Sequence, residues 1–277
     1  LSGWRRTRAA TRLALAFIRR DLLIQASYRF DFLSRLAGIL ITTAILYYIS
    51  VAVGSAASPY LQPYRVDYFH FVLLGVAFMP FIRLSVGSAA RTALACQQQG
   101  TLEMLYLSRT PLVVSLLLSM VWPLGWALFE AGVYLAAGQW LFGARLAWAN
   151  LLTAALVTGL AVLAHTGLGL MNAAFTLITK RAGPLAAGLG LSANLLAGVY
   201  FPVEALPPWL GRLSCLLPAT PALAGLRRAL LHGASVRELG PELLALAGFA
   251  AIFLPLGLLA VGWAIRRARY DGSLGQY

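Results

Sequence analysis

From Leu36 to Val53 the chain runs for 18 residues without a charged side chain. At 1.5 Å per residue such a run makes about 27 Å of helix, close to the roughly 30 Å hydrocarbon thickness of a bilayer. Comparable runs recur along the sequence, so the solvent for most of this chain is lipid. Composition agrees: 60% of the residues are apolar and 11% charged, against about 45 to 50% and about 25% in soluble domains. An all-α, polytopic membrane protein is expected. Its six spans fall at about 36–53, 68–92, 112–137, 149–179, 185–201 and 243–265.

The net charge of +13 would suit a nucleic-acid binder, but its distribution does not. Of 22 basic residues only Lys180 is a lysine, and most flank the apolar runs, which is the pattern of cytoplasmic loops. Residues 1–35 carry eight arginines against Asp21 and Asp31. Arg5, Arg8, Arg12 and Arg19 share one stripe of a helix, with Leu13, Phe17 and Ile24 about 120° away. We therefore read 1–35 as a cytoplasmic, basic amphipathic helix in the headgroup plane and 36–277 as the transmembrane domain. A secretory signal is disfavoured, since Arg19, Arg20 and Asp21 interrupt its apolar stretch and no small-residue cleavage site follows. With both termini cytoplasmic, sixteen basic residues lie inside and six outside, in keeping with the orientation rule.

Between the second and third spans lies a short polar insert, residues 96–111. Gly100 frees the chain to turn, Thr101 suits an N-cap, and Glu103 stands in the first turn, where the helix dipole favours an acid. Leu102, Leu105 and Tyr106 give one apolar face to a helix of about two turns over 101–107, too short to cross a bilayer. It reads either as an ordinary surface loop or as a surface helix that hands force from a soluble partner to the membrane. Residues 203–232, rich in proline, bracket two short helices at about 207–217 and 222–231. They read as a hairpin dipping into the outer leaflet, or as a loop lying flat on it.

Few polar groups interrupt the spans. Arg83 in the second has to snorkel, pair or face protein, and snorkelling to the cytoplasmic side is the default expectation. Glu130, in the outer half of the third, is either a transport site or a partner of Arg145 near the surface. His165 in the fourth serves as a proton relay or, with no second titratable group beside it, as a packed residue. The aromatics Tyr47, Tyr48, Phe78, Tyr200 and Phe201 suit an amphipathic path or interfacial anchoring.

Gln-Gln-Gly100-Thr101-Leu102-Glu103-Met-Leu105 resembles the coupling segment of the ABC-2 type permeases, the membrane subunits of ATP-binding-cassette exporters. Tyr200-Phe-Pro-Val-Glu-Ala-Leu-Pro-Pro-Trp209, with Leu-Pro-Ala-Thr-Pro221 and Leu226-Arg-Arg-Ala-Leu-Leu-His-Gly233, is similar to that family's region before the last span, and Tyr68 to Gly75 is similar to the opening of its second. The run Gln97 to Gln99 departs from relatives, which carry charges there. The resemblance implies a homodimer or a pair of related permease chains in the inner membrane. It also implies a separate ATPase that holds ATP and Mg and receives Gly100 to Tyr106, and outward transport of a hydrophobic or amphipathic substrate such as a drug, lipid or lipid-linked glycan.

No nucleotide site belongs to this chain by sequence: no G-x-x-x-x-G-K-[ST] occurs. His70, His165 and His232 are far apart and lack metal-ligand spacing, and Cys96 and Cys215 fall on opposite sides of the expected topology, so neither a metal nor a disulfide is expected. A membrane-embedded lipid-modifying enzyme would need clustered chemistry that is missing. An ion-coupled secondary transporter would need more intramembrane acids and an inverted repeat.

Overall fold

The structure, a computed structural model, describes residues 29–54, 58–64, 66–101, 104, 111–147, 150–180, 187–188, 190 and 194–270. All regular structure among them is helical. In chain order α1 (Arg29–Val53) is followed by the short α2 (Ser58–Leu61), the long α3 (Tyr68–Gln98), α4 (Leu112–Leu118), α5 (Val121–Phe142) and α6 (Leu151–Thr179). Then come α7 (Pro208–Ser214), α8 (Ala219–His232) and α9 (Gly240–Tyr270). Among the described residues five helices are long and apolar enough to cross a membrane, with α4 and α5 counted as one.

Connections define the two ends of the bundle. At the end holding Gly143, the Arg145 amide donates to His70 Nε2 at 2.9 Å and the Ala147 amide to the Leu230 carbonyl at 2.6 Å. At the opposite end, which holds Gly100, Gln97 Nε2 donates to the Leu177 carbonyl at 3.0 Å. Gln97 is buried, so the glutamine run at the end of α3 makes a helix-to-helix hydrogen bond.

α3 is the hub. Of its most apolar window 78% is buried by the other helices, against 17% for α1, which lies at the periphery. Two hydrophobic clusters form on it, one with Val72, Phe78, Val157 and Leu223 toward the Gly143 end, the other with Ala89, Leu116, Leu170 and Val261 toward the Gly100 end. Where α6 meets α9 the backbones nearly touch. A Cβ on Gly167 would run into the backbone of Phe253, and one on Gly257 would lie 2.9 Å from Leu170 Cβ. Without a hydrophobic effect between helices in lipid, close dispersion contact of this kind is what holds them together.

Three expectations change. The third span, Leu112–Phe142, carries a turn at Ser119 and Met120 between α4 and α5. Pro123 explains the turn, because it has no N–H for the Ser119 carbonyl and its ring crowds that group; the Met120 amide shifts to Leu117 O at 3.1 Å, and Ser119 Oγ donates at 2.7 Å to the Leu116 carbonyl that this leaves open. The first spanning helix begins at Arg29, before the expected start at Leu36, so Arg35 sits inside one continuous helix. The fifth expected span, 185–201, is described in part: residues 187–188, 190 and 194–196 are helical, but its last part is not, since residues 197–200 bend, with Gly198 at φ 80°.

The contact of α6 with α9 makes a prediction. Gly167→Leu is expected to overpack this contact at a cost of about 1 to 3 kcal/mol, lowering the thermal midpoint in detergent, while Gly248→Ala, whose Cβ meets nothing within 4 Å, leaves it nearly unchanged. Equal midpoints for the two variants would show that the helices are not in backbone contact there.

Candidate functional site

At the Gly100 end, α3 closes with a left-handed glycine. Gly100 has φ 65°, its amide donates to Gln97 O at 3.0 Å, and the Thr101 amide donates to Cys96 O at 3.0 Å. This paired closure satisfies two terminal carbonyls and turns the chain sharply. Thr101, expected to cap the following helix, directs Oγ1 back to Cys96 O at 3.4 Å. Met104 is helical and 72% exposed. Leu102, Glu103, Leu105 and Tyr106 lie outside the described residues, as do Arg5, Arg8, Arg12 and Arg19.

Deeper in the bundle, Trp126, Glu130 and Tyr134 follow each other at four-residue steps on one face of α5. Trp126 Nε1 donates to Glu130 Oε1 at 2.6 Å. Arg35 of α1 approaches the same oxygen to 3.7 Å, and Arg83 of α3 approaches Oε2 to 3.7 Å. Tyr134 shares a side-chain hydrogen bond with Thr42 of α1 and lies in the electrostatic field of Glu130, Arg83 and Tyr200. Three helices thus meet along a polar seam centred on a buried carboxylate. This corrects one expectation: the basic neighbours of Glu130 are Arg35 and Arg83 rather than Arg145, whose amide serves His70, and Arg83 comes within ion-pair distance of an acid, one of the alternatives expected for it.

At the other end, α8 buries Arg227 almost completely, at 2% exposure. Its Nε and Nη2 donate to the Phe71 carbonyl at 3.2 and 3.1 Å, and Nη2 also reaches Gly198 O at 2.6 Å and Val199 O at 3.3 Å. The guanidinium lies 3.4 Å from the Phe71 ring centre. One side chain therefore ties a carbonyl within α3, Phe71, to two carbonyls of the bend after residue 196, which lie outside regular helix. Nearby, the Tyr64 hydroxyl donates to the Glu204 carboxylate at 3.1 Å. Burial, with the Glu204 charge adding to it, pushes the Tyr64 phenol up to about 12, so it remains a donor at any physiological pH. α7 and α8 are joined by a turn in which Thr220 Oγ1 donates to Ser214 O at 2.7 Å.

The aromatic residues expected along a path are not gathered in one place. Tyr47 packs against Phe69 and Phe142. Phe78 is buried beside Phe81 and His165 and lines a cleft of about 620 Å³ between α3, α5, α6 and α8, whose walls are almost wholly apolar. Tyr200 and Phe201 stand on the bend that Arg227 pins. His165 is buried and bonds through Nδ1 to Ala161 O at 2.7 Å, a packed and satisfied group.

The family model for the ABC-2 type transporter matches residues 12–231 of the chain. The chain belongs to the ABC-2 type transporter family. It is also similar to the linearmycin resistance permease protein LnrN of Bacillus subtilis (strain 168), at 28% identity over 184 residues, or 65% of this chain and 46% of that protein. The aligned part thus spans about half the length of this relative. The family match agrees with the five helices, among the described residues, that are long and apolar enough to cross a membrane.

Arg35 and Arg227 are the polar residues of this ABC-2 chain that sequence reasoning passed over. A signal for Arg227 was present: it falls four residues after Leu223 and three before Leu230, on the stripe of α8 that is buried. For Arg35 the sequence carried a signal only for the i, i+4 pair with Asp31, 2.8 Å away; nothing local pointed to Glu130, 95 residues on, which it approaches to 3.7 Å.

Pinning by Arg227 is testable through Cys215, an exposed thiol in the turn between α7 and α8. Arg227→Lys is expected to destabilise the bend despite keeping the charge, because a point ammonium cannot span carbonyls that the planar fork reaches together. Cys215 should then react with maleimide several-fold faster; an unchanged rate would remove the pinning role.

Proposed function

We propose that this chain is the permease subunit of an ATP-binding-cassette exporter, working as a homodimer or paired with a related permease. The observation that carries the reading is the junction at Gly100. α3 ends there in a tight left-handed closure, and Gly-Thr-Leu-Glu-Met-Leu follows before α4 begins at Leu112, in a chain of the ABC-2 family. A separate ATPase binds ATP and Mg, closes on turnover, and pushes on Gly100, Thr101, Leu102, Glu103, Leu105 and Tyr106. The Gly100 end faces the cytoplasm of a cell bounded by an inner membrane, both termini are cytoplasmic, and the basic residues 1–35 lie on the lipid surface.

Force applied at Gly100 reaches the membrane part along α3. Its far end is bonded through Phe71 to Arg227, and through Arg227 to the bend bearing Tyr200 and Phe201. α7 and α8 form the re-entrant hairpin at the outer side. Tyr47, Phe78, Glu130, Tyr200 and Phe201 flank the route of a hydrophobic or amphipathic cargo moving outward. The name of the Bacillus relative, a resistance permease, favours a cargo of that kind.

The test joins topology to turnover. In a chain with Cys96→Ser and Cys215→Ser, a thiol introduced as Met104→Cys is expected to react with an impermeant maleimide only from the cytoplasmic side. Co-expression with the ATPase encoded beside it is expected to yield an active complex, and Glu103→Arg should reduce ATP turnover tenfold or more. Labelling from outside, or full turnover in the Glu103→Arg complex, would overturn the assignment.

A further inference from the structure

The polar seam between α1, α3 and α5 holds more positive charge than its own acids neutralise. Arg35 and Arg83 supply two guanidiniums at Glu130, and Arg91, two turns further along α3 with its guanidinium beside Gly87, adds a third positive charge. Among the described residues two carboxylates stand against them. Asp31 is taken by Arg35 Nε at 2.8 Å. Glu130 is buried and held by Trp126, and its two contacts with arginine are 3.7 Å each, longer than a hydrogen bond. Arg83 sits fifteen residues from either end of α3, with Tyr68 and Gln98 as the limits. Its side chain is 60% exposed. Among the described residues its only acidic partner is Glu130, and five N–H donors remain without a hydrogen bond. A guanidinium so placed in a spanning helix needs water or an anion, because hydrocarbon cannot satisfy it.

What lies beside the seam narrows the ligand. Phe32 of α1 stands edge-on to Trp126, with ring centres 5.8 Å apart, and stacks on Phe129 at 6.0 Å. Phe32 and Phe129 are therefore an apolar wall directly next to Arg35 and Glu130. A fork of cationic donors beside an aromatic wall fits a molecule with an oxyanion at one end and a hydrocarbon chain at the other.

We propose that Arg83, with Arg35 and Arg91 in support, binds the phosphate or carboxylate of an anionic amphiphile at membrane depth, Glu130 serving as the counter-ion when the site is empty. This deepens the exporter reading and rests on it for the idea that the amphiphile is cargo; the binding itself does not depend on any ATPase.

The experiment uses the full chain purified in an uncharged maltoside detergent. Binding of a fluorescent dodecyl phosphate is measured directly, with laurate, dodecyltrimethylammonium and inorganic phosphate as competitors. Laurate is expected to compete, and the cationic amphiphile and inorganic phosphate are not. Arg83→Gln should weaken binding at least tenfold, and Arg83→Lys several-fold, with the size-exclusion profile of both unchanged. If Arg83→Gln does not fold, Arg91→Gln, at the edge of the site, is expected to weaken binding several-fold. Mass spectrometry of the intact protein separates the two sources of the anion. An anionic phospholipid that co-purifies with the chain and is lost in Arg83→Gln assigns the site to a resident lipid; a site found empty and filled by added dodecyl phosphate assigns it to an exchanging molecule. Equal affinity in Arg83→Gln, or competition by inorganic phosphate as strong as by laurate, would overturn the proposal. Failure of the ATPase complex to form would overturn the exporter reading and leave this measurement standing.

Discussion

Hydrocarbon offers no hydrogen bonds, so wherever this chain leaves regular helix inside the bundle, protein has to supply the missing partners. Arg227 is the clearest response. Four hydrogen bonds from one buried side chain meet carbonyls of Phe71, Gly198 and Val199. Gly198 is in the left-handed region, and a Cβ at Gly75 would collide with the Val199 backbone. The bend therefore lies close against α3, and the guanidinium fills the polar gap that such an approach creates. Removing a buried partner of this kind strands groups that each cost about 1 to 3 kcal/mol, which is why a planar, many-donor side chain occupies the position.

A second consequence concerns α1. It is the least buried of the described spanning helices, and its contacts with α5 are aromatic at both ends, Tyr47 on Phe142 and Phe32 on Trp126 and Phe129, with Arg35 turned toward Glu130 beside the second. Ion pairs across a low-dielectric gap are directional and reversible in a way that backbone contact such as that of Gly167 with Phe253 is not. The bundle thus joins a group in close backbone contact, α3, α6 and α9, to a peripheral helix held by aromatic and ionic side-chain contacts.

Much of the architecture could be read from the chain. The uncharged runs marked α1, α3, α6 and α9, because hydropathy over about twenty residues reports directly on the solvent a helix occupies. Prolines around 207–221 marked two short helices, whose bounds moved by a few residues. The Gly-Thr-Leu-Glu junction marked the end of α3. Less legible was the third span: Pro123 was visible, but whether a proline kinks or interrupts a helix depends on how the preceding turn rearranges, here with the Met120 amide on Leu117 O and the Ser119 hydroxyl on Leu116 O. At the seam, Arg83 and Glu130 stood out separately as intramembrane charges, while their pairing and the part of Arg35 did not.

Solvent, helix number within the described residues and the site of the junction were determined by local sequence, since each depends on residues within a turn or two of one another. Only the tertiary structure decided which charges meet, that Arg227 faces inward across carbonyls of two other segments, and that Gln97 bonds to Leu177. Those contacts join residues 28 to 156 positions apart, and in a membrane their partners follow from how helices pack and rotate, a choice made by close shape fit between backbones that no periodicity along one helix encodes.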